Sequence, residues 1–201
     1  AITKSKEQQR NLVTLGVTCT LQSTHITPFL EQVLVAHPDL TIRLFHGSIS
    51  ELEEMLQMEF IDAAILAYPM DQPPPYSMIP LFTEEIILTA ANDHDVAGNG
   101  PVQAKDICQH RYLARDSCEM QNDILEQMEG LGVPLMPKLS SSDDQTIVSL
   151  VSSGSGVTFM PRLTVQSAGL ASVPVDGFML HRQIAFAETP GRPRQPGMTQ
   201  L

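Results

Sequence analysis

The sequence has few residues of the kinds that mark a nucleic-acid-binding surface or a membrane span. It has 12 Lys and Arg residues against 23 Asp and Glu residues, which gives a formal net charge of −11. Nucleic-acid binding requires clustered basic side chains that displace counterions from phosphates, and the sequence has no such cluster. Its apolar runs fall far short of the roughly 20 residues that span a bilayer. We therefore expect these residues to contact neither DNA nor a membrane.

Cysteine is scarce, and paired metal ligands are absent. The three cysteines, Cys19, Cys108 and Cys118, form no CxxC pair, and an odd number argues against a disulfide framework. The six histidines show no HExxH or comparable spacing. The polar start, AITKSKEQQRN, lacks the apolar core of a secretory signal. We expect reduced thiols, no metal, no cofactor and a cytoplasmic protein.

Sequence motifs of the common enzyme classes are missing too. There is no GxSxG nucleophile turn, no phosphate-binding P-loop and no GxGxxG dinucleotide motif. No Cys–His or Ser–His pair is suggested by spacing. The sequence therefore predicts no catalytic residue and favours a binding protein over an enzyme.

Strand-like and helix-like segments alternate along the chain. Residues 12–17, 40–46 and 61–67 have the short apolar runs of buried strands, and amphipathic segments near 28–36 and 52–59 separate them. Residues 79–91 read as two strand pieces. Farther on, strand candidates at 111–115 and 155–161 alternate with helices at 119–129 and from about 143. This alternation predicts an α/β fold with a parallel or mixed sheet covered on both faces.

Five segments, in this order and spacing, resemble the effector-binding domain of LysR-type transcriptional regulators. They are LGVTCTLQSTHITPFLEQVLVAHPDLTIRL (15–44), FIDAAILA (60–67), IPLFTEEIIL (79–88), HDVAGNGPVQAKDI (94–107) and LVSSGSGVTFMPR (150–162). The resemblance implies two Rossmann-like lobes joined by a hinge, a fold like that of type 2 periplasmic binding proteins. It places lobe I at 12–88 and 163–201, lobe II at 89–162, and the tail of a linker helix at 1–11. The family's winged helix-turn-helix would be absent from this chain.

The resemblance also implies an effector site in the cleft between the lobes. Open α/β sheets bind ligands beyond the carboxyl ends of their strands. In lobe I these ends carry Thr18, Cys19 and Thr20 after the first strand, Ser48 after the second, and Ala67 with Tyr68 after the third. The hydroxyls of Thr18 and Thr20 could equally cap a helix, and Tyr68 could equally pack in the core. The family often has a hydroxyl at the position of Ile49, and Ser48 or Ser50 could replace it.

In lobe II the expected effector contacts follow two strands and precede the hinge. Ser117 and Cys118 follow RYLAR, Ser142 precedes a helix, and Phe159 and Met160 lie on the strand before Pro161. Helix capping is the alternative role for Ser117 and Ser142, and core packing is the alternative for Phe159 and Met160. Ser142 or Asp143 is the expected N-cap of its helix.

Cys118 also matches, within about two residues, the position of a reactive cysteine in peroxide-sensing members of the family. A helix N-terminus can raise the thiolate fraction of such a residue. The second cysteine of that pattern would fall within EMQNDILEQMEG, which has none. An inert thiol beside a small-molecule site is the preferred interpretation, and a thiol-based peroxide sensor is an alternative.

The resemblance favours an effector sensor in transcription regulation, with a periplasmic solute-binding protein as the other alternative. The expected partners are a small molecule and a second copy of the chain, with DNA contacted only through the missing N-terminal domain. A homodimer or homotetramer is expected, in which the helix at 26–37 packs against the partner's helix at 119–130. The apolar residues cited for this contact are Phe29, Val33, Ile124 and Met128.

Overall fold

The computed structural model describes residues 11–70, 78–98, 100–188 and 196–200. The described residues form nine strands: β1 Leu12–Thr18, β2 Thr41–Gly47, β3 Ala63–Pro69, β4 Met78–Ala90, β5 Tyr112–Arg115, β6 Pro137–Ser141, β7 Thr158–Pro161, β8 Ala171–Val173 and β9 Leu180–Glu188. Six α-helices accompany them: α1 Ser23–Ala36, α2 Ile49–Gln57, α3 Ala104–Ile107, α4 Gln121–Gly130, α5 Asp144–Ser152 and α6 Arg162–Ala168. A 3₁₀ turn covers Pro196–Gln200.

The chain divides into two compact units. The first contains Ala1–Tyr68, Gln72–Phe82 and Ile184–Leu201, and the second contains Pro69–Asp71 and Thr83–Gln183. This division differs from the expected lobes, because residues 83–88 and 163–183 group with the second unit. The physical reason is strand pairing: the second half of β4 pairs antiparallel with both β7 and β8, which draws the segment after β7 to the second unit. Residues 1–10 of the expected linker tail lie outside the described residues.

In the first unit the strand order is β2-β1-β3-β9, and β1 pairs in parallel with both β2 and β3. The third strand shows why this sheet is covered on both faces. Ala63, Ile65 and Ala67 lie in one apolar cluster with Ile26 and Val33 of α1. Ala64, Leu66 and Tyr68 lie in another cluster with Leu52 and Leu56 of α2. A strand with its alternate residues in two separate cores is apolar throughout, as AAILAY (63–68) is.

The second unit repeats this two-faced arrangement. In β5, Tyr112 and Ala114 belong to the core beneath α4, whereas Leu113 belongs to a second core beneath α5 and α6. β5 pairs in parallel with β6, and an isolated bridge joins Tyr112 to Val157. Gly156 is required at the approach to β7, because a Cβ there would lie 2.3 Å from the carbonyl oxygen of Arg111.

One expectation about helix capping is wrong. The N-cap of α1 is Gln22, which makes no side-chain cap hydrogen bond, so the hydroxyl-rich turn from Thr18 to Thr24 does not supply the expected cap.

In the described part of the chain, no helix is long and apolar enough to cross a bilayer.

The apolar residues expected at a subunit contact are largely covered within their own units. Val33, Ile124 and Met128 are all buried in the unit cores, and Phe29 is half-buried. They face inward because α1 and α4 each cover one face of a sheet. On α1 the exposed apolar side chains are instead Leu34 and Val35, which are 48% and 77% exposed.

Candidate functional site

The turn after β1 holds three of the expected site residues. The hydroxyl of Thr18 donates to the carbonyl of Ile65 at 3.3 Å and accepts the N–H of Ala67 at 3.1 Å, so it ties the end of β1 to β3. Thr20 is fully buried, whereas Cys19 is exposed and its N–H donates to the carbonyl of Gly47. Of the three side chains, that of Cys19 is the one open to solvent.

Ser48, after β2, has a capping role. Its side chain accepts the N–H of Glu51 at 3.3 Å, and the carboxylate of Glu51 accepts the N–H of Ser48 at 2.8 Å. This reciprocal capping box at the N-terminus of α2 was not anticipated from the sequence. A carboxylate therefore already occupies this helix end, and the Ser48 hydrogen bonds hold the pKa of Glu51 below its ordinary value.

Ala67 and Tyr68 are both buried near the end of β3. The Ala67 N–H is the donor to Thr18 described above. The hydroxyl of Tyr68 donates to the carboxylate of Glu53 on α2 at 2.7 Å. Tyr68 therefore packs in the core beneath α2 while its polar end reaches the helix.

In the second unit, the turn after β5 carries Ser117 and Cys118. Ser117 is half-buried, and Cys118 is buried at 7% exposure. Neither residue caps α4, whose N-cap is Met120 without a side-chain cap hydrogen bond. Burial raises the pKa of the Cys118 thiol to about 11, although the nearby Arg115 guanidinium acts to lower it. The thiol is therefore protonated at neutral pH, which disfavours a reactive thiolate.

Ser142 is exposed, and the adjacent Asp143 is the N-cap of α5. The carboxylate of Asp143 accepts the N–H groups of Gln145 and Thr146, each at 3.2 Å, and the hydroxyl of Thr146 at 2.6 Å. These bonds hold the pKa of Asp143 below its ordinary value. Like α2, this helix already has an anionic side chain at its N-terminus.

Phe159 and Met160 lie in the interior of the second unit. Phe159 contacts Tyr112 and Phe178, with ring centroids 6.4 and 4.5 Å apart, and Met160 belongs to the opposite core with Ile147. Both side chains are at most 1% exposed. Their surroundings are those of core residues, the alternative role considered for them.

A buried set of charged residues was not anticipated from the sequence. The guanidinium of Arg115 donates to Asp144 through Nε at 2.9 Å and through Nη2, and its Nη1 lies 3.5 Å from the Cys118 sulfur and 3.4 Å from the carbonyl of Phe159. The guanidinium of Arg182 donates to Glu84 through Nε at 3.0 Å and Nη2 at 2.7 Å.

The hydrogen bonds of Arg182 also reach the turn before α4. Its Nη1 donates to Glu119 at 2.5 Å, and the other oxygen of Glu84 accepts the N–H of Leu163 at 3.1 Å. Arg182 is fully buried, and the side chains of Glu84 and Glu119 are 2% and 6% exposed. The signal available in the sequence was a charged residue inside an apolar strand pattern, as Glu84 is in FTEEIILTA (82–90).

An apolar pocket of about 370 Å³ lies in the first unit beside α1. Its wall residues include Leu21, Ile26, Phe29, Ile79, Leu81 and Phe186. None of the site residues expected from the sequence lines it. It therefore offers a second environment for ligands, more apolar than the turn after β1.

The likeness of this chain to known proteins agrees with the fold. The family model described as "LysR substrate binding domain" matches residues 6–201. The chain belongs to this family. This match selects the regulator interpretation over the periplasmic solute-binding protein.

Among curated relatives of this LysR substrate binding domain, the hydrogen peroxide-inducible genes activator of Haemophilus influenzae is 24% identical over 175 residues. The match covers 84% of this chain and 58% of the relative, so the chain spans somewhat more than half the length of that protein.

Two solved structures share its fold. The effector binding domain of QuiR in complex with shikimate has a TM-score of 0.78 and 19% identity, with 94% of this chain and 92% of that one covered. The regulatory domain of CcmR from Synechocystis PCC6803 in complex with 2-PG has a TM-score of 0.80 and 16% identity, with the same coverage.

Proposed function

We propose that this chain is the effector-sensing domain of a LysR-type transcriptional regulator. The observation that carries the proposal is the family match over residues 6–201. DNA contact belongs to a part of the longer protein outside these residues, which fits the net charge of −11. The domain acts by shifting the population of pre-existing arrangements of the regulator when its small molecule binds.

Helix capping narrows the place where the effector binds. Ligands at the carboxyl edge of an α/β sheet use the N–H groups and positive dipole of helix N-termini. The N-termini of α2 and α5 already hold the carboxylates of Glu51 and Asp143. Those of α1 and α4 have no side-chain cap hydrogen bond from Gln22 or Met120, and of these two only α4 has an acidic residue, Asp123, in its first turn. The turns before α1 and α4, at 18–22 and 116–120, are the effector contacts of this proposal.

A thermal-shift screen identifies the effector. Shikimate and 2-PG, the ligands of the two structural neighbours, start the screen, followed by neutral, cationic and apolar compounds. Saturation at about 100 times the dissociation constant should stabilise the fold by roughly 2.7 kcal/mol.

Alkylation of the two exposed cysteine thiols then tests the proposed effector site. Cys19 lies on the proposed contact turn, and Cys108 is an equally exposed thiol that precedes β5. The effector should slow maleimide alkylation of Cys19 and leave that of Cys108 unchanged. Equal protection of both thiols, or of neither, would show that the effector binds elsewhere. A ligand of the apolar pocket beside α1 would give the second result.

The peroxide-sensing alternative has two supporting observations: the likeness to a hydrogen peroxide-inducible genes activator, and the proximity of Arg115 Nη1 to the Cys118 sulfur at 3.5 Å. Burial opposes it, because the thiol is protonated at neutral pH and shielded from an oxidant. The effector-sensing proposal is therefore preferred. Formation of a sulfenic acid at Cys118 with micromolar peroxide would reverse this preference.

A further inference from the structure

Three side chains that the sequence keeps apart converge in the second unit. His94 and Asp95 follow β4, and His110 follows α3. The Nδ1 atom of His94 lies 2.7 Å from the Asp95 carboxylate, and the Nδ1 atom of His110 lies 3.6 Å from the same oxygen. One ligand atom from each residue fits within 4.8 Å of the others. Two imidazoles and one carboxylate therefore face a common point.

The backbone holds both histidines in place. The N–H of His94 donates to Ala91 at 3.1 Å, and its carbonyl accepts from Ala97 at 2.8 Å. The N–H of His110 donates to the carbonyl of Ile107 at 3.0 Å. The two rings meet edge to face, with centroids 4.9 Å apart and planes at 68°. The histidine side chains are only 12% and 16% exposed, so their positions are set by packing.

The Nδ1 atom of His94 has two neighbours that a single hydrogen bond cannot satisfy together. Its Nδ1 accepts the N–H of Val96 at 3.3 Å, which uses the lone pair of that atom. The same atom lies 2.7 Å from an Asp95 oxygen, which is also an acceptor. Two acceptors this close repel each other unless a proton or a cation lies between or beside them. A metal ion bound at Nδ1 of His94 would supply that positive charge, and it would take over the lone pair from the long contact with the Val96 N–H.

The donor set indicates the class of cation. Neutral imidazole nitrogen suits zinc, nickel and copper, whereas magnesium and calcium prefer all-oxygen sites. Metal–ligand bonds of about 2.0–2.2 Å in a tetrahedron place neighbouring ligand atoms about 3.3 Å apart. The 2.7 and 3.6 Å separations bracket that value, so small side-chain rotations would suffice.

We propose that His94, Asp95 and His110 form a binding site for a divalent transition-metal ion of the zinc, nickel and copper group. The ion takes three protein ligands, and water completes its coordination. It ties the loop after β4 to the turn that leads into β5. This site is separate from the residues assigned to the effector.

The test is a zinc titration of the 201-residue chain against a colorimetric chelator. We expect one zinc ion per chain, with magnesium unable to displace it. Asp95→Asn and His110→Gln should each weaken zinc binding by about tenfold or more, since even outer-shell changes cost 10–100-fold. Asp95 has a side chain that is 75% exposed, so its replacement removes little packing, and melting curves without metal check both variants.

Two control variants make the result specific. His46→Gln changes an exposed histidine in the first unit, and Cys108→Ser removes the exposed thiol two residues before His110. Both should bind zinc as the parent chain does. Unchanged affinity in Asp95→Asn and His110→Gln would overturn the proposal. Loss of binding in Cys108→Ser, or a sulfur-to-metal charge-transfer band with cobalt, would also overturn it, because the ligand set would then be different.

Discussion

The guanidinium of Arg115, at the end of β5, donates from Nε and Nη2 to both carboxylate oxygens of Asp144, the first residue of α5. Arg115 is 1% exposed and Asp144 is 12% exposed. A paired, bidentate geometry makes a charge tolerable inside a protein, and loss of one partner leaves the other charge without compensation. The ion pair therefore joins a strand end to a helix start through the interior of the second unit.

Replacement of Asp144 by alanine should destabilise the chain by about 3–5 kcal/mol, because Arg115 would stay buried without its carboxylate. The neighbouring variant Asp143→Ala is the matched control. It removes an exposed helix cap, which should cost clearly less. Urea unfolding measures both values. Equal losses in the two variants would mean that the buried ion pair contributes no more than the cap.

Stability should fall at alkaline pH through Cys118. Burial raises the pKa of its thiol from 9.0 to about 11, so the unfolded chain loses this proton at a lower pH than the folded chain does. The contribution is complete below about pH 9 and is lost as pH rises toward 11, with a slope of up to ~1.4 kcal/mol per pH unit.

The slope is measured by urea unfolding between about pH 8 and 10, below most of the titration of Tyr112, whose pKa burial raises to about 12. Cys118→Ala should flatten it, and Cys108→Ala, at an exposed thiol, should leave it unchanged. A slope that persists in Cys118→Ala would assign the effect to another group.

Thr20→Val tests the turn after β1. If the Thr20 hydroxyl contacts the effector, affinity should fall by about 0.5–1.5 kcal/mol while the melting temperature without ligand stays the same. The residue is fully buried, and valine keeps its branched shape. Calorimetry and melting curves on both proteins separate the outcomes. Lower melting with unchanged affinity would give Thr20 a structural role alone.

Self-association should depend on the exposed part of α1. Val35 is 77% exposed, and Val35→Lys should lower the association constant in sedimentation equilibrium, because a charge would be buried in the expected subunit contact. Met58→Lys, at a 59% exposed methionine after α2, is the control. If the two variants associate equally well, α1 lies outside the contact.

Much of the first unit could be predicted from the sequence because its strands carry a strong local signal. FIDAAILA is apolar at consecutive positions, which a strand buried on both faces requires, and β3 occupies Ala63–Pro69 as a result. The end of α1 was equally clear, since His37 precedes a proline. Capping was harder to predict: the Ser48–Glu51 capping box was missed, and α1 starts after Gln22 without the hydroxyl cap that the sequence suggested.

Pairings between residues far apart in the sequence were harder to predict than the local elements. β6, at Pro137–Ser141, is mostly exposed and lacks an apolar run, so the sequence suggested only a lead into the next helix. The ion-pair partners of Arg115, Glu84 and Arg182 lie 29 to 98 residues away in the sequence. Local sequence spacing gives no signal for such pairs. The same limit applies to His94 and His110, which the fold brings together across α3 and for which the sequence gave no metal pattern.

The discontinuity of the first unit has a consequence for folding during synthesis. Ile184 and Ala187 of β9 are fully buried, each in one of the two cores of that unit. Those cores stay incomplete until the ribosome has passed the ninth strand, whereas residues 83–183 of the second unit emerge as one uninterrupted stretch. Since domains tend to fold as units while the chain grows, the second unit is expected to fold first. The apolar strands β1 to β3 would then stay exposed until β9 has been made, and chaperones would bind the first unit during that interval.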